Sequence, residues 1–216
     1  MELLRDLNEL IFPSRCLSCG ELGISLCSQC RRGWNPHLYQ SEIGRDSATR
    51  LTVYSSVLYS EIAQKIILGA KESHLKKCDQ LVSEAITHAL QRFPERFRAD
   101  FLIPIPSRKS AARLRGRQFI TEVSQQASEK FSIPIRSPLI HRRRVRDQSG
   151  LHSEERWNNL EGAFVVEGEQ VLRGSALLID DLLTTGATLS EAARALRYAG
   201  ITVIGAVTAA LAQPLR

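Results

Sequence analysis

The chain has 216 residues, of which 43% are hydrophobic and 24% are charged, and its net charge at pH 7 is +6. These values are typical of an ordinary globular protein with one full domain and room for a small appendage. No apolar run approaches the roughly 20 residues that a membrane-spanning helix requires. The N-terminus carries acidic residues and lacks the long apolar core of a signal peptide. Composition therefore argues against an integral membrane protein and predicts a cytoplasmic location.

Positive charge is concentrated in the middle of the chain. The segment from Arg92 to Arg146 contains 14 Lys and Arg and four Asp and Glu, a net charge of +10, so the remaining residues carry −4. Such a segment suits a polyanionic ligand or nucleic acid. A basic face that meets only solvent would account for the same charges.

The first 34 residues are expected to form a small module of their own. Leucines at positions 3, 4, 7 and 10 predict a short amphipathic helix over Glu2–Leu10. Four cysteines follow, and the polar stretch 35–50 then reads as a linker to a main domain over residues 51–216. Two Cys-x-x-Cys pairs favour a tetrahedral, structural zinc site with no open position, while a redox dithiol and reduced free thiols are the alternatives. The predicted zinc ligands are Cys16, Cys19, Cys27 and Cys30.

The main domain alternates β-like and helical patterns. The strand "LTVYSSVLY" precedes a mostly helical stretch over Glu61–Phe93, in which Cys78 falls on the apolar face and reads as core. "FLIPIP" predicts a buried strand, followed by a basic segment and a helix near Ile120–Lys130. Further strands are expected in "IPIRSPLI", at 164–166, at 176–179 and in "ITVIGAVTAAL". A helix at 189–198, capped by Gly200, precedes the last of these. This alternation predicts an α/β fold with a mainly parallel sheet and flanking helices.

The stretch "ALLIDDLLTTGAT" carries the strongest functional signal. The pattern predicts that a buried strand over 176–179 ends on two carboxylates and that a turn rich in hydroxyls leads into a helix. Ligands of parallel α/β sheets bind beyond the carboxyl ends of the strands, where a helix N-terminus offers N–H groups to an anion. The residues expected at this site are Asp180, Asp181, Thr184, Thr185, Gly186, Ala187 and Thr188.

The acids and the turn are expected to bind different parts of one ligand. Ionised carboxylates only accept hydrogen bonds, so Asp180 and Asp181 suit hydroxyl donors such as a vicinal diol. The turn suits a phosphate, and a diol close to a phosphate describes a ribose 5-phosphate. A P-loop nucleotide site is the main rival, but the chain has no G-x-x-x-x-G-K-[ST] motif. An acidic strand end followed by a helix-capping threonine is the structural alternative.

"LLIDDLLTTGAT" resembles the phosphoribosyl-pyrophosphate motif of type I phosphoribosyltransferases. The whole chain resembles the ComF family of bacterial proteins through its cysteines, "FLIPIPSRKSAARLRGR", "QSGLHSEERWNNLEGAF" and this motif. The resemblance implies a zinc module joined to a type I phosphoribosyltransferase-like domain and a link to DNA uptake in natural transformation. It further implies that the acids hold the ribose hydroxyls and the turn holds the 5-phosphate. After Arg115 and Gly116 the family usually has an aromatic residue, Asn and Gln, where this chain has Arg117, Gln118 and Phe119.

Other site residues follow from the position of segments and from the same resemblance. The turn after "FLIPIP" lies at the ligand edge, which makes Ser107 and Arg108 candidates for the pyrophosphate, whereas Arg113, Arg115 and Arg117 alternatively form a solvated face. Lys71 corresponds to a family lysine that faces the site. The polar stretch "RRRVRDQSGLHSEERWNN" resembles the mobile loop that closes over the substrate. Its expected working residues are Arg143, Gln148, Arg156 and Asn159.

Two residues of that loop are ambiguous by type. His152 is a lone histidine and reads as a surface residue rather than a base. Trp157 would either stack on a nucleobase or anchor the loop in the core.

The sequence favours the first of two functions, and the second is the alternative. In the first, the protein is an enzyme that binds phosphoribosyl pyrophosphate with Mg²⁺ and transfers the ribosyl 5-phosphate to a nucleophile; the sequence identifies neither the acceptor nor a catalytic base. In the second, it is a non-catalytic module that binds single-stranded DNA through the zinc module and the basic segment, in contact with the competence machinery. Asp180 and Asp181 discriminate between the two, because DNA binding gives no reason for acids beside an anion-binding turn.

Overall fold

The computed structural model describes residues 15–22, 24–47, 49–73, 75–143, 153–167 and 173–213. The predicted helix over Glu2–Leu10 lies outside the described residues, as do Gln148 and His152. Among the described residues, no helix combines the length and the apolar character that crossing a membrane requires.

A five-stranded sheet in the order β1-β2-β7-β6-β3 forms the centre of the molecule. β1 pairs with β2 in antiparallel fashion, and every other neighbouring pair is parallel. A separate antiparallel pair is formed by β4 and β5. The strands are β1 (Tyr39–Ile43), β2 (Leu51–Leu58), β3 (Phe101–Pro104), β4 (Leu139–His141), β5 (Phe164–Val166), β6 (Ser175–Leu183) and β7 (Thr202–Leu211).

Helices flank the sheet and complete the mixed α/β fold that the alternating patterns predicted. They are α1 (Ser28–Gly33), α2 (Glu61–Ser73), α3 (Lys76–Arg92), α4 (Lys109–Arg115), α5 (Phe119–Val123), α6 (Gln125–Phe131), α7 (Ser153–Leu160) and α8 (Ala187–Tyr198), with a 3₁₀ turn at Arg96–Arg98.

The central strands are buried on both faces, which explains their continuous apolar sequences. On one face, Leu177 and Ile179 of β6 belong to a core cluster that includes Ile66 of α2 and Ile86 of α3. On the other face, Leu178 packs in a second cluster with residues of α8 and of the β4–β5 pair. Because successive side chains of a strand point to opposite faces, one apolar run supplies both cores.

The helical stretch predicted over Glu61–Phe93 is divided into α2 and α3. Leu75 adopts an extended conformation at the junction, and its N–H donates to the Gly69 carbonyl over 3.3 Å. Cys78 is fully buried beside Gly69, as its place on the apolar stripe predicted, and the missing side chain of Gly69 leaves room for its sulfur.

The expectation of a polar linker over residues 35–50 is wrong in its central part. Tyr39–Ile43 forms the edge strand β1, which pairs with β2 from Tyr39 opposite Ser55 to Ile43 opposite Leu51. Its side chains alternate between half-buried and exposed. An antiparallel edge strand with one solvated face tolerates polar residues, so the polar composition did not exclude a strand.

Candidate functional site

The acid pair lies inside β6 rather than after it, which corrects the predicted strand end at Ile179. β6 continues to Leu183 because β7 pairs with it as far as Leu183 opposite Leu211. On the other side, pairing with β3 stops at Pro104 opposite Ile179. Asp180 and Asp181 therefore stand where one neighbouring strand has ended and the other continues, at the carboxyl edge of the parallel strands.

The turn after β6 connects this edge to the N-terminus of α8. Gly186 has a φ of +78°, a left-handed conformation that glycine adopts at no steric cost. The N–H of Ala187 lies 3.4 Å from the Thr185 hydroxyl, and the N–H of Ser190 donates to the Gly186 carbonyl. Thr184 is exposed, while Thr185 and Thr188 are half-buried. A twelve-residue helix thus begins directly beside the acids, and the early N–H groups of a helix are available to an anion.

Lys71 lies against the acid pair. It occupies the last turn of α2, and its ammonium group forms an ion pair with the Asp181 carboxylate. The side chains of Lys71 and Asp181 are 24% and 8% exposed. Burial opposes the charge on both groups, yet their mutual attraction lowers the pKa of Asp181 and raises that of Lys71. The pair is therefore ionised around neutral pH.

Asp180 behaves in the opposite way to its neighbour. Its carboxylate accepts a hydrogen bond from the Asp181 N–H over 2.9 Å. Burial raises the pKa of Asp180 well above its usual range, and the negative charge of Asp181 is the second cause of this increase. Adjacent acids whose environments separate their pKa values in this way are typical of functional sites.

Tyr59 is a residue at this edge that the sequence reasoning missed. It directly follows β2, and its N–H donates to the Leu211 carbonyl at the end of β7 over 2.8 Å. Burial raises the pKa of Tyr59, and the charges of Lys71 and Asp181 act on its hydroxyl in opposite directions. The signal was its position as the last residue of the predicted strand "LTVYSSVLY".

The turn after β3 lies at the same edge of the sheet. The Ile105 N–H donates to the Ile179 carbonyl over 2.8 Å, immediately before Asp180. Ser107 and Arg108 follow and are half-buried, and Arg108 precedes the first residue of α4. Their expected contact with a pyrophosphate stays a prediction.

Of the three arginines that follow, two are engaged in ion pairs rather than forming a solvated face. Arg117 donates to both carboxylate oxygens of Asp79 over 2.8 Å and to the Ala70 carbonyl over 2.5 Å. Arg115 pairs with Glu72 over 2.6 Å. The two arginines therefore hold the residues on either side of Lys71, whereas Arg113 is exposed.

The segment that resembles a mobile loop is helical in its described second half. α7 begins with acidic residues in its first turn, which favours a helix N-terminus, and Trp157 and Leu160 form an apolar face three residues apart. Arg143 donates to the carbonyls of Asn159 and Glu161 over 3.1 and 2.7 Å. Asn159 is buried and Arg156 half-buried.

Trp157 anchors α7 to the start of α8. It packs against the cluster formed by Leu160, Ala163 and Ala187, the first residue of α8. The guanidinium of Arg45, in the β1–β2 loop, lies 5.0 Å from the centre of the Trp157 ring. The anchoring alternative for Trp157 is therefore the one that the structure favours.

The four N-terminal cysteines converge on one point. Their sulfur atoms all lie within 4.8 Å of one another, and those of Cys19 and Cys27 are 3.7 Å apart. Four sulfurs at about 2.3 Å from a tetrahedral zinc ion would be about 3.8 Å apart. The Cys27 and Cys30 N–H groups point at the sulfurs of Cys16 and Cys27, each over 3.5 Å, an arrangement that favours thiolates. The cluster meets the geometric requirement for a metal site.

The cysteine cluster packs on the main domain. Leu26 and Trp34 share a core cluster with Ile66 of α2, and Lys65 of the same helix donates to the Ser18 carbonyl over 2.9 Å. α2 therefore contacts the cysteine cluster near its beginning and the acid pair near its end.

Comparisons with known proteins find a curated relative for part of the chain and solved structures that resemble it. No protein-family model matches the chain. Competence protein F of Haemophilus influenzae is 35% identical over 104 residues, which cover 46% of this chain and 45% of that protein. The chain thus matches less than half the length of this relative. The adenine phosphoribosyltransferase of Leishmania tarentolae superposes with a TM-score of 0.41 and 9% identity over 80% of this chain and 94% of that one. Over about half of its length, the chain is a homologue of Competence protein F, in agreement with the resemblance to ComF proteins.

Proposed function

We propose that the carboxyl edge of the sheet binds phosphoribosyl pyrophosphate. One observation carries the proposal. Two acidic residues lie in β6, and the turn that follows leads directly to the N-terminus of α8, where Gly186 is the N-cap residue. Carboxylates accept hydrogen bonds from a sugar diol, and the N–H groups of the turn and the threonine hydroxyls donate to a 5-phosphate. The resemblance of this stretch to the phosphoribosyl-pyrophosphate motif supports the same assignment.

The reaction that suits this ligand is transfer of the ribosyl 5-phosphate to a nucleophile with departure of pyrophosphate. Positive charge would develop on the ribose beside the Asp181 carboxylate, while negative charge spreads onto the leaving group near Ser107 and Arg108. Preorganised groups of opposite charge would stabilise both changes. Gln148 and Arg156, with Arg143 and Asn159, are the proposed residues of the covering segment.

Mg²⁺ is proposed to accompany the pyrophosphate rather than to occupy a site made by the protein alone. Among the described residues, the cysteine cluster is the group of three or more potential ligands close enough to hold a metal ion. Sulfur ligands do not suit Mg²⁺, which prefers oxygen and is commonly bound through substrate phosphates. When bound, the ion supplies charge neutralisation at the leaving group.

The cysteine cluster is proposed to hold a structural zinc ion. Four protein thiolates satisfy a tetrahedral ion and leave no position for a substrate. Cys16, Cys27 and Cys30 are buried while Cys19 is exposed, so the ion would lie at the surface of the core with one ligand toward solvent. The zinc ion would fasten this short segment against α2.

Single-stranded DNA binding is the second candidate function. The observation that favours it is the concentration of basic residues between Arg92 and Arg146, with Arg113 exposed on α4. The curated relative is named a competence protein, so a role in DNA uptake with the competence machinery is part of the proposal. A site for phosphoribosyl pyrophosphate and a DNA surface are compatible, since the acids and the exposed basic residues are different parts of the chain.

Calorimetric titration with phosphoribosyl pyrophosphate, with and without Mg²⁺, tests the main proposal. We expect saturable binding of one ligand per chain, strengthened by Mg²⁺, and weaker binding of ribose 5-phosphate without the metal. Single-stranded DNA titrated in parallel tests the second candidate. Binding of DNA but of neither sugar phosphate at millimolar concentration would reject the main proposal and leave the second.

A further inference from the structure

The acid pair poses an electrostatic problem for the proposed ligand. Two ionised carboxylates next to an anion-binding turn would repel a sugar phosphate, which itself carries negative charge. The structure contains a group that removes this repulsion: the ammonium group of Lys71, in contact with the Asp181 carboxylate. Asp180 sits in an environment that favours its neutral form. The three side chains together therefore carry little net charge.

Lys71 is held in this position by contacts on both sides of it in the chain. Arg117 binds the carbonyl of Ala70, and Arg115 binds the carboxylate of Glu72. Arg117 is in turn fixed by Asp79 at the start of α3. The end of α2 is thus attached to Arg115 at the end of α4 and to Arg117 just after that helix, which favours a fixed position of the ammonium group.

We propose that Lys71 is the internal counter-ion that allows the acid pair to accept an anionic sugar phosphate, and that without it such ligands bind only when Asp181 is protonated. The inference rests on the proposed function. It assigns to Lys71 the role of a positioning residue for Asp181, different from a direct contact with the pyrophosphate. The ligand class concerned is a ribose bearing a 5-phosphate.

The charged and titratable groups that face Lys71 come from several elements. They are Asp180 and Asp181 of β6, Tyr59 after β2, and Arg115 of α4. The carboxylate of Asp181 has a lowered pKa and the ammonium of Lys71 a raised one, so this pair keeps its charges throughout the range between pH 5 and 9. In Lys71→Met no cation offsets the effect of burial, which raises the pKa of Asp181. We therefore expect Asp181 to titrate within that pH range in this variant.

The test measures the dissociation constant of ribose 5-phosphate at pH 5, 6, 7 and 8 for the wild-type protein and for Lys71→Met. Dividing the dissociation constant of the variant by that of the wild-type protein at each pH cancels the titration of the ligand's own phosphate. We expect this ratio to rise at least about tenfold from the lowest to the highest pH, because one protonation step changes affinity by up to about tenfold per pH unit. Lys71→Arg keeps the charge and should give a ratio that does not change with pH.

Lys77→Met is the matched control, because Lys77 is an exposed lysine of α3 and its substitution changes the net charge equally. A ratio for Lys71→Met that is as independent of pH as that of Lys77→Met would overturn the inference while the proposed function stands. Failure of the wild-type protein to bind either ribose 5-phosphate or phosphoribosyl pyrophosphate would overturn the proposed function, and the inference with it.

A double variant covers the case in which Lys71→Met does not fold. Removing both charges in Lys71→Met with Asp181→Asn leaves no unpaired buried charge, so this protein should fold if the single variant fails for electrostatic reasons. Its affinity for ribose 5-phosphate, relative to the wild-type protein, should then be independent of pH. Failure of the double variant to fold would show that Lys71 is needed for packing, and would overturn its role as a counter-ion.

Discussion

Ile43 and Gly186 are in direct contact, although they are separated by more than 140 residues of sequence. A Cβ atom built on Gly186 would lie 2.7 Å from the Cβ of Ile43, closer than two such carbons approach in proteins. The edge strand β1 therefore rests on the turn that begins α8. Glycine is required here for two reasons, its left-handed φ of +78° and the absence of space for a side chain.

We expect Gly186→Ala to lose measurable binding of ribose 5-phosphate and to be less stable by about 2–5 kcal/mol. About 1–2 kcal/mol comes from the left-handed conformation and about 1–3 kcal/mol from overpacking against Ile43. Gly200→Ala is the matched control, because Gly200 has a φ of +82° but no neighbouring atom within 4 Å of its missing Cβ. Gly200→Ala should lose only the stability that comes from the left-handed conformation, about 1–2 kcal/mol, and should bind the ligand normally. Equal losses of stability in the two variants would contradict the role of the Ile43 contact.

Asp180→Asn should make the protein more stable than the wild type at neutral and alkaline pH. The pKa of Asp180 is raised in the folded protein, so the folded state retains a proton that the unfolded chain releases from about pH 4 upward. Stability then falls as pH rises toward the folded pKa, by at most about 1.4 kcal/mol per pH unit, and an asparagine does not undergo this loss.

Urea denaturation at a series of pH values measures the effect, and the neighbouring acid provides a control of opposite sign. The pKa of Asp181 is lowered, so its contribution to stability is present above the unfolded pKa and is lost as pH falls through the folded one. Asp181→Asn should therefore destabilise the protein at pH 7. If both substitutions changed the free energy of unfolding at pH 7 in the same direction, the opposite pKa shifts of the two acids would be contradicted.

The protein purified from zinc-containing medium should contain one zinc ion per chain. Cys16→Ser should release the ion, because three thiolates and a hydroxyl bind zinc far more weakly than four thiolates. Trp34 is buried in the same core cluster as the cysteines, so metal loss should change its fluorescence. Cys78→Ser is the control: Cys78 is buried elsewhere in the core, and its variant should keep the zinc. Less than a tenth of an equivalent of zinc in the wild-type protein would contradict the site.

Single-stranded DNA should bind with little sequence preference and with an affinity that falls steeply as salt increases, because basic side chains release counterions from phosphates. Arg113→Ala should reduce the slope of log affinity against log salt by about 0.7, the value for one phosphate contact on a single strand. Lys77→Ala, an exposed lysine outside the basic segment, should leave the slope unchanged. An affinity that does not depend on salt would contradict the electrostatic argument.

Features that depend on neighbours in the chain were predictable from the sequence. The apolar strands, the four converging cysteines and the succession of acids, hydroxyls and glycine over residues 176–188 are local patterns, and α8 and β7 form close to where those patterns indicated them. The end of β6 was misjudged because charge normally marks the end of a buried strand, whereas pairing with β7 extends this one past both acids. The helix α7, in the second half of the predicted loop, was missed because its apolar face consists of only Trp157 and Leu160.

Partnerships between distant residues were decided by the tertiary structure alone. Composition identified Asp180 and Asp181 as acceptors, but only the packing of α2 on the sheet brings the ammonium of Lys71 to Asp181 and separates the behaviour of the two acids. The sequence likewise did not distinguish Arg117, held by Asp79 and Ala70, from the exposed Arg113 four residues earlier. The physical reason is that a local pattern specifies the conformation and the chemical type of a residue. Burial, charge neutralisation and pKa depend on which other segments fold against it.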